Sequence, residues 1–252
     1  MRHIIILISF FILAFSIEKN GFGENFYKLE LNQRREIFFE KMNEMLDKSF
    51  KDILEERKFV QALLSQGEKN GFRIGNKKAL ARLIELKNKY RINNLFDINE
   101  YLIKIAPTPK SLAISQAILE SGLASSRFAR EGNNLFGEWT WTQKAIEPSK
   151  KTPGKKGGAR IFSSIQDSID SYVLNLNRHF AYENFRKKRL EFYEKKQIFT
   201  GLDAIDTLIS YSEIKEEYFR RITTIIKLYN LIKYDIDYAK ELANHKLNEE
   251  KF

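Results

Sequence analysis

One glutamate, Glu120, closes the uncharged run LAISQAILE, in a chain where 30% of the residues are charged. Ala113, Gln116, Ala117 and Glu120 recur at the three- and four-residue spacing of one helix face. The small residues of that set leave room for other backbone to come near the acid. Apolar surroundings disfavour the ionised form of a carboxyl, so its pKa should rise. A glutamic acid still protonated near neutral pH can give its proton to a glycosidic oxygen. A plain salt-bridging or helix-terminal acid is the alternative, and Glu-Ser-Gly alone leaves both open. A glycosidase also needs a group to handle water or the oxocarbenium ion. Glu138, Glu147, Asp167 and Asp170 are the candidates, with Asp167 and Asp170 better suited to balancing charge at a helix start. Trp139, beside Glu138, could stack on a sugar ring.

Other chemistries find little support. His3, His179 and His245 are too scattered for a metal set, and there is no cysteine for thiolate or disulfide chemistry. No Ser-His-Asp order appears, and GKKGG lacks the spacing of a phosphate loop. No cofactor and no metal are expected. Lysine and arginine exceed aspartate and glutamate by 43 to 33, a formal charge of +10. Such a chain is drawn to polyanions. With no finger, zipper or clean base-reading helix, nucleic acid is set aside in favour of acidic envelope glycans.

The elements that must position Glu120 are mostly helical. A helix is predicted to start near Ser111, capped by that residue after Pro109, and to end at Gly122. ASSRFAREG reads as a second short helix closed by Gly132, and NNLFG as a tight loop. Trp139–Arg160, rich in Gly, Pro and Lys, reads as a hairpin or flap. Upstream, Phe38, Met42, Met45, Leu46, Phe50, Ile53 and Leu54 recur at helical spacing within one run from Phe22 to about Gln66. Further helices are predicted over Ala79–Tyr90 and Ile98–Ile105. Downstream, Ile165–Leu176 is helical, HFAY is a packed turn, and two helices flank a turn near Tyr211. The last residues form a polar helix with little to bury. At the other end, Ile4–Ser16 is an uncharged stretch of secretory length, too short to span a bilayer comfortably.

SLAISQAILESGLASSRFAREGNNLFGEW resembles the glucosaminidase-type domain of bacterial peptidoglycan hydrolases, in the branch of the Bax proteins. The likeness continues through ARIFSSIQDSIDSYVLNLNRHFAYENFRKKR and GLDAIDTLISYSEIKEEYFRRITTIIKLYNL, and Phe38–Ile105 resembles the family's helical lead-in. The resemblance implies a mainly α (α+β), lysozyme-like fold with a small β-hairpin lobe beside the cleft. It implies an endo-β-N-acetylglucosaminidase acting on peptidoglycan, with Glu120 as general acid and Tyr211 as the tyrosine close to it, while Glu138 and Glu147 stay open as candidates for the second group. Gln116, Asn133, Asn134, Phe136, Gly137 and Tyr218 match the family's motifs and, with the stacking candidate Trp139, are the expected substrate-binding residues. Leu123 and Ala124 stand where many members carry Trp-Gly, and Ile214 and Lys215 replace a glycine-rich turn. The expected organisation is a signal peptide or anchor over 1–16, helical lead-in over 17–106, catalytic domain over 107–235 and a tail over 236–252. The protein is thereby expected in the periplasm or cell envelope, with membrane association through its first segment. A lytic transglycosylase shares the Glu-Ser start but normally continues with a GLMQ-type stretch, where NNLFG stands here. A non-catalytic glycan-binding scaffold is the third reading.

Overall fold

The computed structural model describes residues 22–69, 71–148, 156–211 and 215–249. The apolar segment Ile4–Ser16 and His3 lie outside them. The run expected as one helix from Phe22 divides into α1 (Glu24–Lys28) and α2 (Leu31–Lys69). At 1.5 Å per residue α2 is roughly 58 Å long. Its Phe38, Met42, Leu46, Phe50, Ile53, Val60 and Leu64 are buried along one stripe. They join the core that includes Leu112 and Ile114. Thus the lead-in packs on the rest of the molecule: α2 contacts α4 (Ile98–Lys104), α5 (Lys110–Ser121) and α7 (Ile165–Arg178). Between them α3 (Lys77–Tyr90) is capped by Asn76, whose side chain accepts from the Lys78 and Ala79 amides.

The helix bearing Glu120, α5, is buried nearly all round, which is why its sequence is short of charge. It is surrounded by α2, α9 (Gly201–Ile205), α10 (Lys215–Leu228) and α11 (Ile232–Glu249). Ser111 does not cap it: Pro109 holds the cap position and makes no side-chain cap. Asp235 of α11 takes that role from outside, accepting from the Ser111 amide at 3.0 Å and the Ser111 hydroxyl at 2.5 Å. The same carboxylate accepts from the Gly201 amide at 3.3 Å, so one acid serves two helix starts. Only glycine fits at 201, because a Cβ there would lie 2.4 Å from Ser111 Oγ and 2.7 Å from the Leu112 amide nitrogen.

Just before the tail, α11 carries buried Asp235, and within the tail the Tyr238 ring lies 5.2 Å from that of Phe50. Burial raises the Asp235 pKa to about 6, against the hydrogen bonds from Ser111 and Gly201 that favour its charge. The folded chain therefore takes up a proton between about pH 6 and 4 that the unfolded chain does not. The charged form costs stability above pH 6, on the order of 3 kcal/mol, and the cost fades as pH falls to 4. Asp235→Asn should remove this slope: urea midpoints of wild type and variant, compared from pH 7 to 4, should show the wild type gaining relative stability as pH falls.

The remaining helices are α6 (Arg127–Gly132) and α8 (Glu183–Glu194), with 3-10 turns over Phe180–Tyr182 and Asp206–Tyr211. The β lobe is a three-stranded antiparallel sheet rather than a two-stranded hairpin. Strand β3 (Gly158–Arg160) lies between β1 (Trp139–Thr140) and β2 (Ala145–Ile146), with Trp139 opposite Ala159 and Ala145 opposite Arg160. The mainly helical class with a small β lobe is the one expected from the sequence.

Two arginines clamp the segment that leads from α4 into α5, and a third ties the end of α7. Arg189 of α8, fully buried, donates to the carbonyls of Ile103 (2.8 Å), Ala106 (3.0 Å) and Pro107 (3.0 Å) and to Asn177 Oδ1 (2.8 Å). Arg57 of α2 donates to the Leu102 and Ile105 carbonyls, at 2.5 and 2.8 Å. Arg186 binds the Leu176 and His179 carbonyls at the end of α7.

Candidate active site

Glu120 stands in the last turn of α5, one residue before the helix ends at Gly122, which is left-handed with φ 59°. Leu123 and Ala124 continue in the left-handed region at φ 56° and 61°, unusual for side-chain-bearing residues. The turn is tied by Ser121, whose hydroxyl donates to the Ala117 carbonyl at 2.6 Å and accepts from the Ala124 amide at 2.8 Å. The family motif's Ser121 is therefore spent on the backbone.

The Glu120 side chain is exposed, yet enough protein surrounds the carboxyl that lost hydration raises its pKa above the ordinary carboxylate value. The expectation of a carboxyl held dry is thus corrected: water reaches it, and a bound sugar would have to complete its desolvation. No other carboxylate contributes to its shift, and it has no hydrogen bond or ion pair among the described residues. The loop after α6 closes on it at Gly137, where φ is +67° and an added Cβ would sit 3.8 Å from Glu120 Oε2. Glycine suits that left-handed conformation, and even a side chain's Cβ would only touch the acid.

One turn back on the same face, Gln116 is held by two tyrosines. Tyr172 of α7 donates its hydroxyl proton to Gln116 Oε1 at 2.5 Å, and Gln116 Nε2 donates to the Tyr218 hydroxyl at 2.8 Å. Burial raises the Tyr218 hydroxyl to about 12, opposed by the Gln116 bond and assisted by the Glu120 charge. Burial lifts Tyr172 well above its usual value, with Tyr218 and Tyr182 adding to the shift. Both phenols are therefore neutral donors at physiological pH. Because Tyr218 accepts from Gln116, its own proton is free to be given elsewhere. Phe136 stacks on Tyr172, centroids 3.9 Å apart and planes 9° from parallel, which joins the NNLFG loop to this chain.

The structure thus brings Glu120, Gln116, Gly137, Phe136 and Tyr218 together, and adds Tyr172, which sequence reading placed on a helix without a role. The other predicted residues are used differently. Asn133, buried, donates to the Phe162 carbonyl at 3.1 Å. Asn134, buried, donates to the Glu138 and Arg160 carbonyls at 2.8 and 2.9 Å and accepts from the Glu138 amide at 3.0 Å. These side chains hold the loop to β3. Glu138 is ion-paired with Arg160 at 2.5 Å and accepts from the Ser171 hydroxyl at 2.7 Å. Trp139 donates its indole N–H to the Lys156 carbonyl at 3.3 Å. Glu147 is exposed just beyond β2, and its carbonyl accepts from Arg127. Tyr211 ends the second 3-10 turn, but its side chain lies outside the described residues. Asp167 lies in the first turn of α7, and Asp170 accepts from Ser49 and from Gln166, the latter at 2.8 Å. HFAY is a turn, but Phe180 is 74% exposed rather than packed inside. No group of acidic, histidine or cysteine side chains suited to a metal ion occurs among the described residues.

A partly desolvated acid at the end of a central helix, with a glycine on one side and an oriented amide and two neutral phenols on the other, suits proton donation to a neutral, hydroxyl-rich ligand. A family model described as glucosaminidase, mannosyl-glycoprotein endo-beta-N-acetylglucosaminidase, matches residues 96–245, and the chain belongs to this glucosaminidase family. It is 34% identical over 143 residues to Protein bax of Escherichia coli (strain K12). The match takes in 55% of this chain and 51% of that protein, so the chain spans about half the length of this curated relative. Among solved structures, the catalytic domain of the autolysin Auto from Listeria monocytogenes aligns with a TM-score of 0.40 and 19% identity, over 70% of this chain and 87% of that one.

Proposed function

We propose that the protein is an endo-β-N-acetylglucosaminidase that hydrolyses β-1,4 bonds in the glycan strands of peptidoglycan, with Glu120 as general acid. The observation that carries this reading is the raised pKa of a carboxyl placed beside Gly137 and the Tyr172–Gln116–Tyr218 chain. Glu120 protonates the glycosidic oxygen as the bond to the anomeric carbon breaks. Tyr218 and Gln116, fixed by their mutual hydrogen bond, hold the sugar so that this oxygen meets the acid. Glu138 is already saturated by Arg160 and Ser171, which leaves it shaping the loop rather than attacking carbon. With Glu120 the single acid of the described site, the acetamido oxygen of the substrate's own sugar is the fitting partner for the anomeric carbon. The Glu120 carboxylate then takes a proton from the water that completes hydrolysis. The charge of +10 favours an anionic envelope glycan over neutral glycans.

Export to the periplasm or cell envelope through the segment 1–16 belongs to the same proposal. No helix among the described residues is long and apolar enough to cross a membrane. Product analysis tests the reaction type. Digestion of purified peptidoglycan should release fragments with a reducing N-acetylglucosamine end, visible by mass spectrometry after borohydride reduction. Fragments ending in an anhydro sugar, with no new reducing end, would instead identify a transglycosylase.

A further inference from the structure

A polar cavity of about 290 Å³ lies between α2, α3 and α7. It is tied to the Glu120 site by short covalent and hydrogen-bonded steps. Glu138 follows Gly137 and receives hydrogen bonds from Arg160 and Ser171, both of which line the cavity. Ser171 in turn precedes Tyr172, which orients Gln116.

The cavity's charges are unevenly matched. Lys89 is paired with Glu56 at 2.7 Å, and Asp170 is engaged by Ser49 and Gln166. Arg178, at the last turn of α7, is half-buried and has no hydrogen bond or ion pair among the described residues. Lost hydration lowers its pKa, as do the like charges of Arg91 and Arg160, while Glu138 opposes them. Arg160 spends Nη1 on Glu138 and Ser171, and its buried Nε has no partner. The exposed Asp52 at the cavity's edge is the remaining acid of its lining. A desolvated guanidinium left unpaired beside a second one is costly for the empty protein. The cost is offset once a carboxylate arrives, because guanidinium and carboxylate pair through charge-assisted hydrogen bonds.

We propose that this cavity is a subsite for a carboxylate carried on the glycan strand, with Arg178 as its recognition residue. The inference rests on peptidoglycan being the substrate. Peptidoglycan offers this chemistry from two sources, the lactyl acid of a muramic sugar stripped of its peptide and the acidic stem peptide of a sugar that keeps it. Binding such a group would place the strand in register on Glu120 and favour acidic strands over uncharged chains of N-acetylglucosamine.

Arg178→Gln tests this, since the native side chain leaves no partner behind. Turnover should be compared on peptide-bearing strands, on amidase-stripped strands with free lactyl acids, and on uncharged N-acetylglucosamine oligomers. The variant should lose about tenfold in kcat/KM on an acidic strand, mainly through KM, and nothing on the uncharged oligomers. Arg178→Lys should recover part of the loss. Loss on the amidase-stripped strands alone assigns the lactyl group; loss on the peptide-bearing strands alone assigns the stem; loss on both means that the subsite takes the carboxylate from either source. In parallel, N-acetylmuramic acid and muramyl dipeptide are titrated into both proteins by NMR. At least one should bind wild type about tenfold more tightly than the variant. Equal loss on charged and uncharged glycans, or equal binding of both probes by the two proteins, overturns the subsite. The titration decides the subsite even if wild type turns over none of the glycans, a result that would count only against the hydrolase reading.

Discussion

Glu120→Gln should reduce muropeptide release by about 10²–10⁴-fold, the range expected when a general acid is removed. The amide keeps the size of the acid but has no proton to give. Folding should be untouched, because Glu120 is exposed and makes no hydrogen bond or ion pair among the described residues. Thermal unfolding within experimental scatter of wild type, and retained sedimentation with insoluble peptidoglycan, would separate chemistry from binding. The pH profile carries a second signature. The acid must be protonated to act, so wild-type activity should fall as pH rises through its elevated pKa. Undiminished release by the glutamine variant would remove Glu120 from the mechanism.

Arg189→Ala should have the largest effect on stability, a loss of about 3–5 kcal/mol, since buried acceptors lose their donor at roughly 1–3 kcal/mol each. The side chain is 1% exposed and its guanidinium serves three main-chain carbonyls and Asn177 Oδ1. Burial lowers its pKa to about 10, which still leaves it cationic at neutral pH. Lysine keeps the charge but presents a point ammonium where a planar fork is needed, so Arg189→Lys should fall between wild type and alanine. Urea unfolding gives the order directly. A loss below about 1 kcal/mol for the alanine variant would mean that water replaces the guanidinium at little cost. The clamped segment delivers the chain into α5, so reduced activity should accompany reduced stability here, unlike in Glu120→Gln.

Much of the site's frame can be read from the chain. The uncharged run before Glu120 marks a helix buried on most sides, and the same pattern isolates the acid. The three- and four-residue spacing puts Gln116 and Glu120 on one face, where they are found. What periodicity does not carry is the partner across space. Gln116 meets Tyr172 and Tyr218, which lie 56 and 102 residues away in sequence. A tyrosine on an amphipathic helix looks like ordinary core until its hydroxyl is located. The family resemblance puts Asn133 and Asn134 in the groove, yet their amides hold main-chain carbonyls of β3 and its surroundings. Ser111 has the right type and place for a cap, but the orphan amides of α5 are satisfied by an acid from the last helix. Phe180 shows the opposite failure, an aromatic expected inside that lies largely in solvent.

That arrangement at Asp235 orders events as the chain folds. The amide at the start of the acid-bearing helix waits for a carboxylate 124 residues further along. Contacts this distant in sequence form late, because the intervening chain must first be brought together. A polypeptide stopped short of residue 235 would hold Glu120, Gln116, Tyr172 and Tyr218 and still lack the latch at the far end of α5. The helix that bears Glu120 therefore becomes firm only once residue 235 has been made and brought back to it.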